Sequence, residues 1–191
     1  MNWEELGDKL EEIGLATDRP DRLGEYEQIL AGLPGGAEGH AEVLTCMADE
    51  LKWQGRLDEA EATYRAAIDD GGRTVLSPYT GLLNVALERG ADEDVEGHLA
   101  QLLAQSRADR LVVGDYEWIA ESLEESGRLR TALRWFTIPL RDIQPADIDL
   151  MPPGCLQGRY RVRRALELPI DAYDESHEVY LEATSETSTP S

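Results

Sequence analysis

A helix–turn–helix pattern built around the sequence Gly-Arg-Leu occurs twice in this 191-residue chain. Apolar residues at helical spacing precede Gly55 and Gly127, and the same spacing resumes after the turn in both copies. A glycine there suits the left-handed residue that ends a first helix. The two copies are in register, with Ala48 matching Ala120, Ala60 matching Ala132, and Tyr64 matching Phe136. Their separation is about two periods of ~34 residues, which predicts helical hairpins that repeat along the chain.

Weaker versions of the pattern fill the rest of the chain. A middle copy turns at Arg89-Gly90, and two apolar stripes near the N-terminus are separated by Asp18-Arg19-Pro20. One more helix is predicted from about Gly154 to Leu168. The predicted organisation is therefore an N-terminal hairpin (1–37), three hairpins (38–145), a linker with a C-terminal capping helix (146–181), and a disordered tail (182–191).

The chain carries a formal net charge of -21 at pH 7. A charge of this sign and size repels nucleic acid and anionic lipid, and it either favours a basic partner or serves solubility alone. No run of about 18 apolar residues is present, so no membrane span is predicted. Two isolated thiols, Cys46 and Cys155, and an N-terminus without a signal peptide predict a cytoplasmic protein. Abundant Arg, Ala and Gly beside scarce Lys indicate a bacterial source with a GC-rich genome.

Sequence patterns that carry catalytic chemistry are missing. The three histidines, His40, His98 and His177, are predicted in loops or on polar helix faces. No Cys/His cluster has the spacing of a zinc site. No phosphate-binding loop or nucleophile motif is present, and the paired glycines punctuate loops. We therefore predict no enzymatic activity, no cofactor and no metal site.

The matching small residues, glycine turns and aromatic residues resemble the tetratricopeptide repeat family over roughly residues 38–145. The resemblance implies an all-α fold, a right-handed α-solenoid of antiparallel helix hairpins with a C-terminal capping helix. Pro139 departs from the family pattern and predicts that its helix kinks or ends early. The alternative is a helical bundle without structural repeats.

In this family the first helix of each hairpin lines a concave groove that binds a partner. The corresponding face of this chain carries Glu42, Thr45, Asp49, Trp53, Asn84, Glu88, Glu117, Trp118, Glu121 and Glu125. Carboxylates beside tryptophans suit a basic or extended peptide segment, through charge pairing and cation–π contact. We therefore predict a protein–protein interaction scaffold with an acidic groove. Some members of the family clamp a terminal carboxylate with Lys, Arg and Asn on this face, but at the matching positions of this chain only Asn84 is suitable, so we do not expect this mode of binding.

Other interpretations of the same residues stay open at this point. Trp53 and Trp118 are also suited to packing between hairpins, because tryptophan is highly buried on average. The arginine-rich run 159–164 is suited to pairing with acidic surface of this chain or of another copy. The helix that carries it is also suited to docking in the acidic groove. In that position it would be an autoinhibitor or a dimer contact. The alternative function is a self-associating structural module, a homo-oligomer such as a homodimer formed through the C-terminal helix.

Overall fold

The computed structural model describes residues 2–15 and 21–178. Every regular element within those residues is helical, which confirms the predicted all-α class. The predicted disordered tail lies outside the described residues. Helices α1 to α10 span Trp3–Leu15, Arg22–Gly32, His40–Trp53, Leu57–Asp70, Pro78–Arg89, Asp92–Arg107, Val113–Glu125, Leu129–Thr137, Pro153–Ala165 and 172–178, the last being the end of the described residues. Two short 3-10 segments, Ile138–Leu140 and Ile148–Leu150, lie between α8 and α9.

The chain divides into two compact units, and the boundary between them falls between residues 110 and 111. The first unit contains α1 to α6, and the second contains α7 to α10. This boundary falls inside the segment 38–145 that the sequence predicts as three hairpins, and the predicted domain limits stay predictions. Among the described residues, no helix has the length and apolar character that crossing a membrane requires.

Left-handed glycines end the first helix of each predicted hairpin between 38 and 145. Gly55 has a φ angle of 74° and Gly127 one of 77°, and Gly90 in the middle copy has one of 65°. The residue after each glycine donates its backbone N–H to a carbonyl in the last helical turn, as Arg56 does to Leu51 (2.9 Å). These bonds satisfy carbonyls that the helix end leaves unpaired. The predicted role of the glycines is confirmed.

Aromatic rings pack directly on helix backbone in both units. Tyr64 of α4 is fully buried, and its ring lies so close to α5 that a β-carbon on Gly81 would be 2.2 Å from it. In the second unit, Phe136 of α8 is fully buried, and a β-carbon on Gly158 of α9 would be 2.3 Å from its ring. Each glycine is therefore required by the close approach of the preceding helix. The small matching residues around them are all buried: Ala48, Ala60, Ala120 and Ala132.

The C-terminal part confirms one prediction and differs from the sequence analysis in helices α9 and α10. The confirmed one is the early end of α8: this helix ends at Thr137, and a 3-10 segment that contains Pro139 follows. α9 ends at Ala165 and not at 168, because Glu167 adopts a left-handed conformation with a φ angle of 54°. α10 was not predicted. Asp171 caps it by accepting from the backbone N–H of Asp174 (3.2 Å).

Candidate functional site

α3 and α5 lie side by side and run in the same direction. Near their first turns, the backbone N–H of Val75, which shortly precedes α5, donates to Glu42 Oε2 (2.7 Å). Near their last turns, Lys52 Nζ lies 3.8 Å from Glu88 Oε1. Contacts at both matching ends require a parallel arrangement, and α4 packs against both helices. The two helices therefore share one continuous surface.

Polar side chains at helical spacing form the α3–α5 face, which we define by Asp49, Lys52, Asn84 and Glu88. Asp49 lies one turn before Lys52, and Asn84 lies one turn before Glu88. The Asp49 carboxylate is half-buried and accepts a hydrogen bond from the Tyr64 hydroxyl (2.5 Å). Burial raises the pKa of Asp49 to about 6, against the lowering effects of Tyr64 and Lys52. Lys52 is therefore shared between two carboxylates of the face.

The Asn84 amide is the polar group of this face that has no partner. The residue is only 5% exposed, and neither its Nδ2 nor its Oδ1 atom makes a hydrogen bond with any residue that the structure describes. A buried polar group without a partner costs about 1–3 kcal/mol, and native proteins contain few of them. The amide offers both a donor and an acceptor in the middle of a helix face, so any partner that satisfies it fully has to supply both.

An apolar pocket of about 270 Å³ opens between α1 and α3 of the same unit. Its lining residues are Trp3, Leu6, Gly7, Leu10, Glu11, Glu42, Cys46 and Val75. The Arg73 guanidinium stacks on the Trp3 ring, 4.5 Å from its centroid. The pocket therefore combines apolar walls with the carboxylates of α1 and α3, and we call it the α1–α3 pocket.

Glu42 is the buried carboxylate of this pocket. Its Oε2 atom accepts from Val75, whereas Oε1 has only the weak, 3.9 Å contact with the Cys46 thiol. Burial raises the pKa of Glu42, and the Val75 N–H lowers it by a smaller amount. Burial also raises the pKa of Cys46 far above its usual range, which favours the protonated, less reactive form of this thiol. The described residues contain no group of three side chains suited to a metal ion.

The predicted groove residues fall into two sets, one in each unit. In the first unit, Glu42, Thr45 and Asn84 are buried, Asp49 is half-buried, and Trp53 and Glu88 are exposed. In the second unit, Glu117 and Trp118 are half-buried, and Glu121 and Glu125 are exposed. The Thr45 hydroxyl donates to the Ala41 carbonyl within α3 (2.9 Å), so it offers little to a ligand. Trp53 is 80% exposed, which rules out the packing role considered for it within the described chain.

The acidic face of α7 is in contact with α9. Both N–H groups of the Arg161 fork donate to the Glu124 carboxylate, each at 2.7 Å. A β-carbon on Gly154, in the first turn of α9, would lie 2.6 Å from Glu117 Oε1. α7 and α9 therefore also run side by side in the same direction, with α8 packed against both. We call their shared surface the α7–α9 face.

The arginine-rich run pairs with carboxylates of the same unit, as one of its interpretations predicts. Arg159 is buried and binds Asp171 (2.5 Å) and Asp174 (3.2 Å), while Arg163 binds Asp174 (2.9 Å). Sequence reasoning missed this cluster because it missed α10. The acidic pair 171 and 174, spaced as in a helix cap, is the signal that would have predicted α10.

His177 corrects the prediction that all three histidines lie in loops or on polar faces. It lies in α10, is 4% exposed and stacks on Tyr160 with ring centroids 4.4 Å apart. Burial lowers its pKa, so the ring is neutral. His40 begins α3 and lies 2.8 Å from Asp70, and His98 is half-buried in α6. None of the three lines the α3–α5 face or the α1–α3 pocket.

Comparisons with known proteins identified no related protein. No protein-family model matches the chain, and neither a curated protein nor a solved structure matches it. The site is therefore defined by its own geometry: a face with an unpaired amide, beside a pocket with a buried carboxylate.

Proposed function

We propose that the chain is a protein-interaction module of the tetratricopeptide kind, and that its first unit binds an extended peptide with basic side chains across the α3–α5 face. In this proposal the helices form a right-handed solenoid of antiparallel hairpins. The left-handed turns at Gly55 and Gly127 support it. The same aromatic-on-glycine packing in both units supports it further.

The unpaired Asn84 amide is the observation that carries this proposal. An extended peptide offers a backbone N–H, which can donate to the amide oxygen, and a backbone C=O, which can accept from the amide nitrogen. Because almost every residue carries these backbone groups, recognition through them alone does not depend on the sequence of the peptide. The amide atoms are covered in the free protein, so a neighbouring side chain has to move aside when the peptide binds.

Charge favours a basic partner over an acidic one. Asp49 and Glu88 share the single cation Lys52 on this face, and the whole chain carries a net charge of -21. Positively charged peptides are attracted by such a field and arrive faster than neutral ones. A basic extended segment therefore satisfies both the amide and the carboxylates.

The self-association alternative receives no support from the contacts of α9. Three of its four arginines, Arg159, Arg161 and Arg163, bind Glu124, Asp171 and Asp174 within their own unit, so these three do not require a second copy. A homodimer stays a prediction that light scattering of the full chain tests.

The test begins with a library of displayed extended peptides, selected on the full chain. Selected peptides should bind in fluorescence anisotropy and should be rich in Lys and Arg. The variant Asn84→Leu should weaken their binding about tenfold or more, because the amide partner is lost. The same variant should raise the free energy of unfolding by about 1–3 kcal/mol, because it removes a buried group without a partner.

The control is Gln101→Leu, which removes an exposed amide of α6 and should change neither quantity. A library that yields no binder contradicts the proposal. So does a set of binders that bind Asn84→Leu as tightly as the original chain. A loss of stability in Asn84→Leu would assign the amide a structural role instead.

A further inference from the structure

We infer that the α1–α3 pocket takes a lysine side chain of the bound peptide, with its ammonium group on Glu42. This inference rests on the proposed function, because it identifies one side chain of the peptide that the first unit binds. It assigns the pocket a definite chemistry: a compact cation at the end of an aliphatic stem.

The size and walls of the pocket suit one long side chain. Its volume of about 270 Å³ is below the range of about 300–1,000 Å³ that is typical of sites for drug-sized molecules. Leu6 and Leu10 are almost fully buried and form an apolar wall with Trp3. Long charged side chains bury their methylene stems along such apolar surface while the charged end finds a polar partner.

The acceptor geometry of Glu42 favours an ammonium over a guanidinium group. Val75 already donates to Oε2, so Oε1, with only its thiol contact, is the oxygen with more free acceptor capacity, and a fork of two donors would have to share Oε2 with Val75. A guanidinium group binds a carboxylate best through two parallel hydrogen bonds, which need both oxygens. An ammonium group is a compact point charge that needs only one. Lysine therefore fits this carboxylate better than arginine does.

The charges around the pocket favour a cation. Asp49 on α3 and Glu11 on α1 add negative charge near Glu42. The Arg73 guanidinium is stacked on Trp3, and it lowers the pKa of Glu42 less than the hydrogen bonds from Val75 and Cys46 do. Burial disfavours the charged Glu42 carboxylate, and an ammonium partner would offset that cost.

The closing experiment uses the full chain and three small probes, so that it does not depend on a selected peptide. The probes are the blocked amino acids Nα-acetyl-lysine methylamide, its Nε-acetyl derivative, and the corresponding arginine compound. The indole resonance of Trp3 is followed by NMR during titration, after assignment with a Trp3→Phe variant. The lysine probe should shift this resonance, the arginine probe should bind more weakly, and the neutral derivative should cause no shift.

The variant Glu42→Gln should lose the shift caused by the lysine probe. Its side-chain carbonyl can still accept from Val75, so the fold should be retained, and circular dichroism checks this. Glu4→Gln, which changes an exposed carboxylate on α1, is the matched control and should keep the response. Equal shifts from the lysine and neutral probes, or no shift from either, would overturn the inference.

Peptides from the library separate failure of this inference from failure of the proposed function. If acetylating each lysine in turn leaves binding unchanged while Asn84→Leu still abolishes it, the pocket assignment is wrong and the proposed function stands. If no peptide binds while the lysine probe still shifts Trp3, the pocket is a cation site and the proposed function is wrong.

Discussion

The α3–α5 face and the α7–α9 face have the same backbone arrangement and differ in how their polar groups are satisfied. The aromatic-on-glycine contacts place Asn84 and Arg161 at matching positions, three residues after Gly81 and Gly158. On the α7–α9 face, Arg161 forms a two-bond ion pair with Glu124. On the α3–α5 face, the Asn84 side chain has no hydrogen-bond partner within residues 2–15 and 21–178.

If the first unit binds a peptide as proposed, the residue at this one matching position determines whether a face contains an internal ion pair or an amide that a peptide can satisfy. Lys52 and Glu124 also match, because each lies three residues before its turn glycine. Glu124 binds across to α9 at the matching position, whereas Lys52 binds Glu88 one turn further along α5. Arg161 and Glu124 therefore satisfy each other within the second unit, while the Asn84 side chain of the first unit has no hydrogen-bond partner among the described residues.

The largest expected effect tests whether the two aromatic residues are equivalent. Tyr64→Ala and Phe136→Ala each remove a fully buried ring that packs on a glycine. Each should lower the free energy of unfolding by about 3–5 kcal/mol, measured by urea unfolding. Trp53→Ala, at a residue that is 80% exposed, should change it by less than about 0.5 kcal/mol. A large loss of stability in one unit and a small loss in the other would show that the two aromatic residues are not equivalent.

A pH-dependent effect should distinguish Asp49 from its counterpart. The folded-state pKa of Asp49 is about 6 and its ordinary value is 3.8. Well below pH 3.8 the group is protonated in both the folded and the unfolded states. As the pH rises to 6, the unfolded chain loses its proton first, so the folded state loses about 2–3 kcal/mol of stability. Asp49→Asn keeps an acceptor for Tyr64 and should lack this loss.

The measurement for Asp49 is the urea midpoint of both proteins at several pH values between 4 and 7. The matching residue in the second unit is Glu121, which is exposed and has Arg161 nearby. Glu121→Gln should therefore change the pH profile less than Asp49→Asn does. Parallel profiles for the original chain and Asp49→Asn would contradict this prediction.

Glycine turns should respond alike in the two units. A β-carbon on Gly55 or Gly127 meets nothing within 4 Å, so only the left-handed backbone opposes alanine there. Gly55→Ala and Gly127→Ala should each lower the free energy of unfolding by about 1–2 kcal/mol. Gly97→Ala is the control, since it lies within α6 without a left-handed φ and should gain up to about 1 kcal/mol. An equal response of all three would contradict the turn assignment.

The smallest expected effect comes from giving the α7–α9 face the residue type that the α3–α5 face has at the matching position. Arg161→Asn removes the pair with Glu124, in which the arginine side chain is 49% exposed. Exposed pairs contribute about 0.2–1 kcal/mol, so the free energy of unfolding should fall by no more than that. A loss above about 2 kcal/mol would show that this pair is structural and that the two faces are not comparable.

Much of the fold was predictable because it depends on local signals. Gly55, Gly127 and Pro139 act through their own backbone conformations, and the structure confirms all three. The candidate site was less predictable, because it depends on contacts between distant residues. The pocket needs Trp3 beside Glu42, and the importance of Asn84 lies in the absence of a partner. Neither property is encoded in the spacing of residues.

The close approach of a ring to a helix glycine also has a consequence for the order of folding. A glycine inside a helix costs about 1 kcal/mol relative to alanine, and short helices are marginal on their own in water. α5 and α9 each carry such a glycine where Tyr64 or Phe136 packs. We therefore expect each of these helices to become stable only after the helix before it is in place. Assembly would then proceed from the N-terminus of each unit, in the direction in which the ribosome releases the chain.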